Sequence, residues 1–306
     1  MIFLFSDRLH FSIGFPQLPD SVAAIWRQLA SFLRDQKLLP KTFEVSQMWG
    51  HDPDTQSESD LKLNGDEVGS LIEARKLKGF MVCSGSGSRN SELDFWIPRS
   101  PTNSPVKLSC TVGAKAKAPD DWSQLIERIM VEFETIGAWQ WRRRYAYWQG
   151  DSLLDERYKR LWGGLPPGLR TWIEPKSYPM AEDRVRIDIS KLPGRHKELG
   201  QEVSFHPTAE MWLGPHFWQY AKCTKEEALA ANFFLEKRDT PHLLYLKCWP
   251  TAFTRPDGEQ GRMQQRLWKL FFHEDCEWPP GSGTICDEPM YGPPELMPGY
   301  KAATDG

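Results

Sequence analysis

The chain has 306 residues, 40% hydrophobic and 26% charged, with a formal net charge of −3. That balance excludes wholesale disorder and gives no general affinity for nucleic acid, which needs many cations to displace counterions. No apolar run approaches the roughly 18 to 20 residues of a membrane span.

The length suggests two domains. Met1 to Phe5 reads as a first strand, and Asp7 and Arg8 make it too short for the apolar core of a signal peptide. Asp20 is placed to cap a helix with Val22, Ile25, Trp26, Leu29, Phe32 and Leu33 on one face, closed by Pro40. A polar, acidic loop over 51–66 leads to a second helix, marked by Val68, Leu71 and Ile72 and ended by Gly79. Three strands follow, Phe80 to Cys83, Leu93 to Ile97 and Val106 to Val112, joined by short polar links as in an antiparallel meander. A long helix then starts near Asp120 or Asp121, carries Trp122, Leu125, Ile126, Ile129, Met130, Phe133 and Ile136, and stops at Gly137.

From Trp139 to Trp148, aromatic and Arg side chains recur at period two, as on a strand, while a helix continuing through Gly137 is the competing reading. A short amphipathic helix with Leu153, Leu154, Tyr158, Leu161 and Trp162 ends at Gly163-Gly164 and Pro166-Pro167. That break divides the chain into an N-terminal α+β domain, 1–163, and a C-terminal α+β domain, 164–278. A Pro/Gly-rich tail, 279–306, completes the chain. In the second half, Thr171 to Ile173, Val185 to Ile189, Val203 to Phe205 and Leu243 to Trp249 read as strands. Thr224 and Glu227 form a capping box, and Met263, Leu267, Leu270 and Phe271 mark a last helix. The order of Cys-bearing strand, loop and amphipathic helix occurs twice, at 106–137 and 243–273, as a distant internal duplication would leave it. The fold class is therefore α+β, antiparallel sheets packed with amphipathic helices in two related subdomains.

Few residues offer chemistry. The run Ser84 to Ser88 is Gly-rich but lacks a P-loop's Gly-Lys-Ser/Thr ending, so a turn is the better reading. Glu174-Pro175-Lys176, with Asp151 or Asp155 upstream, matches by letter the acid and Glu-x-Lys of a metal-dependent nuclease, but Pro175 confines such a strand to an edge. His206, Glu210 and His216, or the run His273 to Cys276, lack zinc-ligand spacing. No cofactor or metal is therefore expected, nor is an enzyme. The six Cys show no C-x-x-C spacing and read as reduced thiols in a cytoplasm, with Cys276–Cys286 pairing left as an alternative.

The clearest charge signal is acidic. Asp52, Asp54, Glu58, Asp60, Asp66 and Glu67 face one lysine, Lys62, in the first stretch; Glu274, Asp275, Glu277, Asp287, Glu288 and Glu295 face none in the second. Such stretches are either solvated loops or a surface that steers a basic partner. Trp49 and Trp278 stand beside them as candidate aromatic anchors. The binding reading therefore selects Trp49, Asp52, Asp54, Glu58, Asp60, Glu274, Asp275, Glu277 and Trp278.

With its 14 Trp, the Trp26 helix, Trp49-Gly50 and the strand-then-helix ending from Leu243 to Phe272, the chain resembles the immunity protein 52 family. That family comprises immunity proteins of polymorphic-toxin and type VI secretion systems. The resemblance implies a cytoplasmic antitoxin that occludes a secreted toxin with a restriction-endonuclease-like domain, encoded by the adjacent gene. Neither a membrane nor direct nucleic-acid contact is expected.

Overall fold

A computed structural model describes residues 9–47, 63–74, 80–83, 93–97, 104–112, 119, 121–150, 171–174, 184–200 and 203–277. Strand β1 (Leu9–Phe15) occupies the middle of the main sheet. Its Phe11, Ile13 and Phe15 alternate onto one face, and His10 and Ser12, equally buried, onto the other. Both faces of this strand are covered. The strand expected at Met1 to Phe5 lies outside the described residues.

Nine strands form the sheet. They are β1, β2 (Glu44–Gln47), β3 (Phe80–Cys83), β4 (Leu93–Ile97), β5 (Val106–Val112), β6 (Gly137–Arg142), β11 (Glu210–Leu213), β12 (Glu236–Asp239) and β13 (Leu244–Lys247). The spatial order is β12-β13-β11-β6-β1-β5-β4-β3-β2, with every neighbouring pair antiparallel. Two further pairs, β7 (Thr171–Glu174) with β8 (Arg184–Ile187) and β9 (Lys197–Glu198) with β10 (Ser204–Phe205), stand apart as two-stranded sheets. The fold is α+β.

The two faces carry two cores. On the front, helices α1 (Val22–Asp35), α2 (Gly65–Ala74) and α3 (Ser123–Glu132) pack Trp26, Ile72 and Ile126 against Phe11, Leu108 and Phe95. On the back, α4 (Arg143–Gly150), α5 (Lys225–Ala230) and α6 (Gly258–Phe272) bring Tyr145, Ala228 and Trp268 to Trp139, Met211 and Leu246. Residues on β6, β11 and β13 serve both cores by alternation: Ala138, Trp212 and Tyr245 in front, Trp139, Met211 and Leu246 behind. Strand β6 precedes residue 163 and β11 follows it, so the main sheet runs unbroken across the sequence boundary at 163/164. The twice-occurring strand-then-helix order is present as β5–α3 and β13–α6, with the helices on opposite faces.

Local signals explain the element ends. Ser21, rather than Asp20, caps α1 by accepting a hydrogen bond from the Ala24 N–H at 3.3 Å. Thr224 and Glu227 make the reciprocal capping box expected of α5. The Trp139 region is both things in turn, strand to Arg142 and helix from Arg143. The indole N–H of Trp26 donates to the Gly65 carbonyl at 2.7 Å, tying the start of α2 to α1.

Two glycines in this frame should respond oppositely to Ala. Gly214 closes β11, where an added Cβ would lie 2.1 Å from the Thr135 carbonyl oxygen, so Gly214→Ala should cost about 3 kcal/mol. Gly69, inside α2, meets nothing closer than 3.4 Å, so Gly69→Ala should gain roughly 0.5–1 kcal/mol of helix propensity. Urea denaturation of both variants checks the pair, and equal effects would contradict the packing described.

Candidate partner-binding site

The first acidic stretch joins the described fold at two fixed points. Gln47 ends the edge strand β2, and Leu63 forms a bridge with Phe43, whose N–H donates to the Leu63 carbonyl at 2.7 Å and whose carbonyl accepts from Leu63 at 2.9 Å. Next to this bridge, Asn64 Oδ1 accepts the N–H groups of Asp66 and Glu67, both at 3.0 Å. Glu67 Oε2 in turn accepts the Asn64 N–H at 2.7 Å. This is a capping box on α2, and the two carboxylates also suit the positive end of the helix dipole. Asp66 bonds Arg34 at 2.8 Å on α1. The acids at the described end of the stretch therefore fasten it to the body. Trp49, Asp52, Asp54, Glu58 and Asp60, which carry the binding reading, lie outside the described residues.

The second stretch begins at the C-terminal cap of α6. His273 takes a left-handed conformation, φ 55°, and reverses the chain. Glu274 then meets Arg195 Nη2 at 2.9 Å and Lys197 Nζ at 2.7 Å. The Arg195 side chain is only 4% exposed. Its guanidinium lies 3.8 Å over the Trp268 ring and donates to the Leu192 carbonyl (2.8 Å), the Cys276 Sγ (3.4 Å) and the Asp275 carbonyl (3.4 Å). A buried cation needs such complete satisfaction. Burial works against the Glu274 charge, but the hydrogen bonds from Lys197 and Arg195 overcome it and hold the carboxyl below its ordinary value. Glu274 is thus an internal counter-ion. Asp275 remains 70% exposed and bonds Lys269 at 3.0 Å. The Glu277 N–H donates to the Lys191 carbonyl at 2.8 Å. Trp278 lies outside the described residues.

The described ends of the two stretches belong to different cores. The α2 end of the first belongs to the front core, whereas Cys276 in the second belongs to the back core. Arg195 and Lys197, which hold the second stretch, gave little sequence signal; a buried Arg in a Pro-Gly-Arg-His-Lys run looks like any exposed loop cation. Arg262, Arg266 and Lys269, at i, i+4 and i+7 on α6, are exposed.

The other candidates disperse. Glu174 ends β7 opposite Arg184, and Lys176 lies outside the described residues. His206 stacks on Trp141 with centroids 4.3 Å apart, His216 bonds Glu134 at 3.1 Å, and Glu210 accepts from Gln140 at 2.6 Å. Among the described residues no group of three or more His, Cys, Asp or Glu could hold a metal ion. Cys110, Cys223, Cys248 and Cys276 are free thiols. A crevice between Trp141, Tyr145, His206 and Phe253 measures about 20 Å³, room for about one water molecule. No described helix is long and apolar enough to cross a membrane.

No family model and no curated protein matches the chain. Among solved structures it is similar to the Pseudomonas aeruginosa T6SS protein PA0821, with 13% identity and a TM-score of 0.48, covering 93% of this chain and 78% of that one.

The Glu274 cluster makes an acid-side prediction. Because the folded carboxyl titrates below its unfolded value, its contribution is present above that unfolded value and is lost as pH falls through the lowered folded one. Glu274→Gln should cost roughly 2 kcal/mol at neutral pH and should flatten the fall in Tm below about pH 4.5. Thermal melts across pH 3–7 check this, and parallel curves for the two proteins would contradict it.

Proposed function

We propose that the chain is a cytoplasmic bacterial immunity protein that binds a cognate secreted nuclease-type toxin and neutralises it by occlusion, without cofactor or catalysis of its own. The observation that carries the reading is the anchoring of the first acidic stretch. Trp49, Asp52, Asp54, Glu58 and Asp60 lie between Gln47 and Leu63, and Leu63 is bonded back to Phe43 and locked by the Asn64–Glu67 box. A segment whose ends are held by the fold is a common vehicle for recognition, and fixing its ends reduces the entropy lost on binding. Four carboxylates beside one Trp suit a cationic protein surface: the charges accelerate encounter and the indole provides a buried anchor. The resemblance to the immunity protein 52 family supports the same reading.

Within it, the partner is a toxin with a basic surface, in the manner of a restriction-endonuclease-like effector. A stable complex should bury about 1,200–2,000 Å² in total. The product of the adjacent gene is the partner to test. It should co-purify with this chain, and Asp52→Lys, Asp54→Lys and Asp60→Lys together should weaken the complex at least about 100-fold and abolish protection of cells, with an unchanged melt. Undiminished neutralisation by that variant would overturn the reading. Glu274 is left intact in this test because reversing it would break the Arg195 cluster.

A further inference from the structure

Strand β10 brings Phe205 to the middle of the back core, where its ring meets Trp139, Phe217, Trp268, Phe271 and Phe272 at centroid distances between 4.9 and 6.1 Å. The next residue, His206, is half-buried. Its imidazole lies flat on the Trp141 indole of β6, with centroids 4.3 Å apart and planes at 14°. A second histidine, His196, stands 5.7 Å away, just before β9. The Leu199 N–H closes the β9–β10 pair by donating to the Val203 carbonyl at 2.7 Å, and the Thr208 N–H donates to the His206 carbonyl at 2.8 Å. The imidazole–indole stack thus fastens a two-stranded pair, with Phe205 on it, to the main sheet.

The surroundings of this ring favour its neutral form. Burial acts first, and the positive charges of His196 and of Lys107 on β5 add to it, so the His206 pKa lies well below the ordinary histidine value. An indole face attracts a cation, but that attraction is outweighed here. The other titratable groups nearby do not reverse the balance. Tyr145 on α4 donates its hydroxyl proton to Gln264 and is held neutral by burial. His10 of β1 lies across from Trp141 in the register and is itself a base. Arg142, the next residue of β6, alternates to the opposite face from Trp141. The carboxylates closest in sequence are committed elsewhere: Glu198 is exposed on β9, and Glu210 is held by Gln140 and Lys247.

We propose that the His206–Trp141 stack is an acid-operated latch: it holds β9, β10 and Phe205 against the main sheet while the imidazole is neutral, and releases them when a proton arrives. The closed latch excludes the proton, and the open one accepts it at the ordinary histidine value, about 6.5. Closure is therefore at full strength above that value and weakens as pH falls below it, toward the lowered value of the closed form. Lys197 on β9 is also one of the two cationic partners of Glu274, so opening loosens the end of α6 as well. The front core takes no part in the stack and stays closed. The latch responds at a higher pH than the Glu274 carboxyl, so the two acid responses separate on the pH axis.

The test uses the full chain alone, so its outcome is separable from that of the proposed function. Amide hydrogen exchange read by mass spectrometry, corrected for the intrinsic pH dependence, compares peptides from β9–β10 with peptides from α1. Between about pH 7 and about pH 5.5 the protection of β9–β10 should fall about eightfold, the factor set by an open form that titrates near 6.5, while α1 is unchanged. His206→Phe keeps a flat ring for Trp141 and carries no proton, so its β9–β10 protection should be the same at both values. A second measurement needs no variant: by NMR, the wild-type His206 ring protons, assigned through their contacts with Trp141, should keep the shifts of the neutral form down to about pH 5.5. Wild-type protection indifferent to pH, an equal fall in α1, an undiminished fall in His206→Phe, or a His206 ring that titrates near 6.5 in the folded chain would each overturn the proposal.

Discussion

Strand β6 hydrogen-bonds to β1 on one side and to β11 on the other, and this double pairing is what makes one object of the chain's two halves. Side chains alternate across a strand, so the same six residues must satisfy two cores. Ala138 contributes a small side chain to the front, where Trp212 and the α3 helix need room, and Trp139 fills the back against Phe205. A one-residue slip would exchange them and put an indole where a methyl belongs. The register is therefore fixed by volume as well as by hydrogen bonds. With the seam fixed, α1–α3 and α4–α6 have only opposite faces of the sheet to cover.

The second constraint is electrostatic. Arg195 is buried, and a buried guanidinium left without partners would be strongly unfavourable. Glu274, the Leu192 and Asp275 carbonyls and the face of Trp268 answer it together, with the indole N–H of Trp268 fixed in turn by the Pro193 carbonyl at 2.8 Å. The cluster clamps the end of α6 to the 192–197 segment. On the front, Glu67 and Asp66 perform a comparable service for α2. Some carboxylates in a run of like charge thus hold the fold, which charge counting alone does not reveal.

Much of the fold was legible where hydrophobic period and punctuation agreed. Strands β3, β4 and β5 occupy the spans that their apolar alternation and their Ser, Gly and Pro flanks predict, and the buried faces of α1 and α6 follow their 3.6-residue spacing. The misses have physical causes. Strand β1 sits at the centre with both faces covered, so His10, Ser12 and Gly14 are polar or small at positions where a half-exposed strand would show solvent. Strand β12, Glu-Lys-Arg-Asp, is an exposed edge whose charges suppress pairing with other chains; it has no apolar pattern to read. At the candidate site the acidic residues were plain, but the partners that neutralise Glu274 come from positions about 80 residues away, and no local pattern announces them.

On the proposed reading the acidic stretch at residues 49–60 is an electrostatic guide as well as a contact, and the rate of encounter reports on it most directly. Stopped-flow association of the chain with the adjacent gene's product, at ionic strengths from about 0.05 to 0.5 M, isolates that contribution from short-range packing. The association rate constant should fall about tenfold or more across that range while dissociation changes little. An association rate indifferent to salt would contradict the assignment of the stretch at residues 49–60 as the surface that captures a cationic partner.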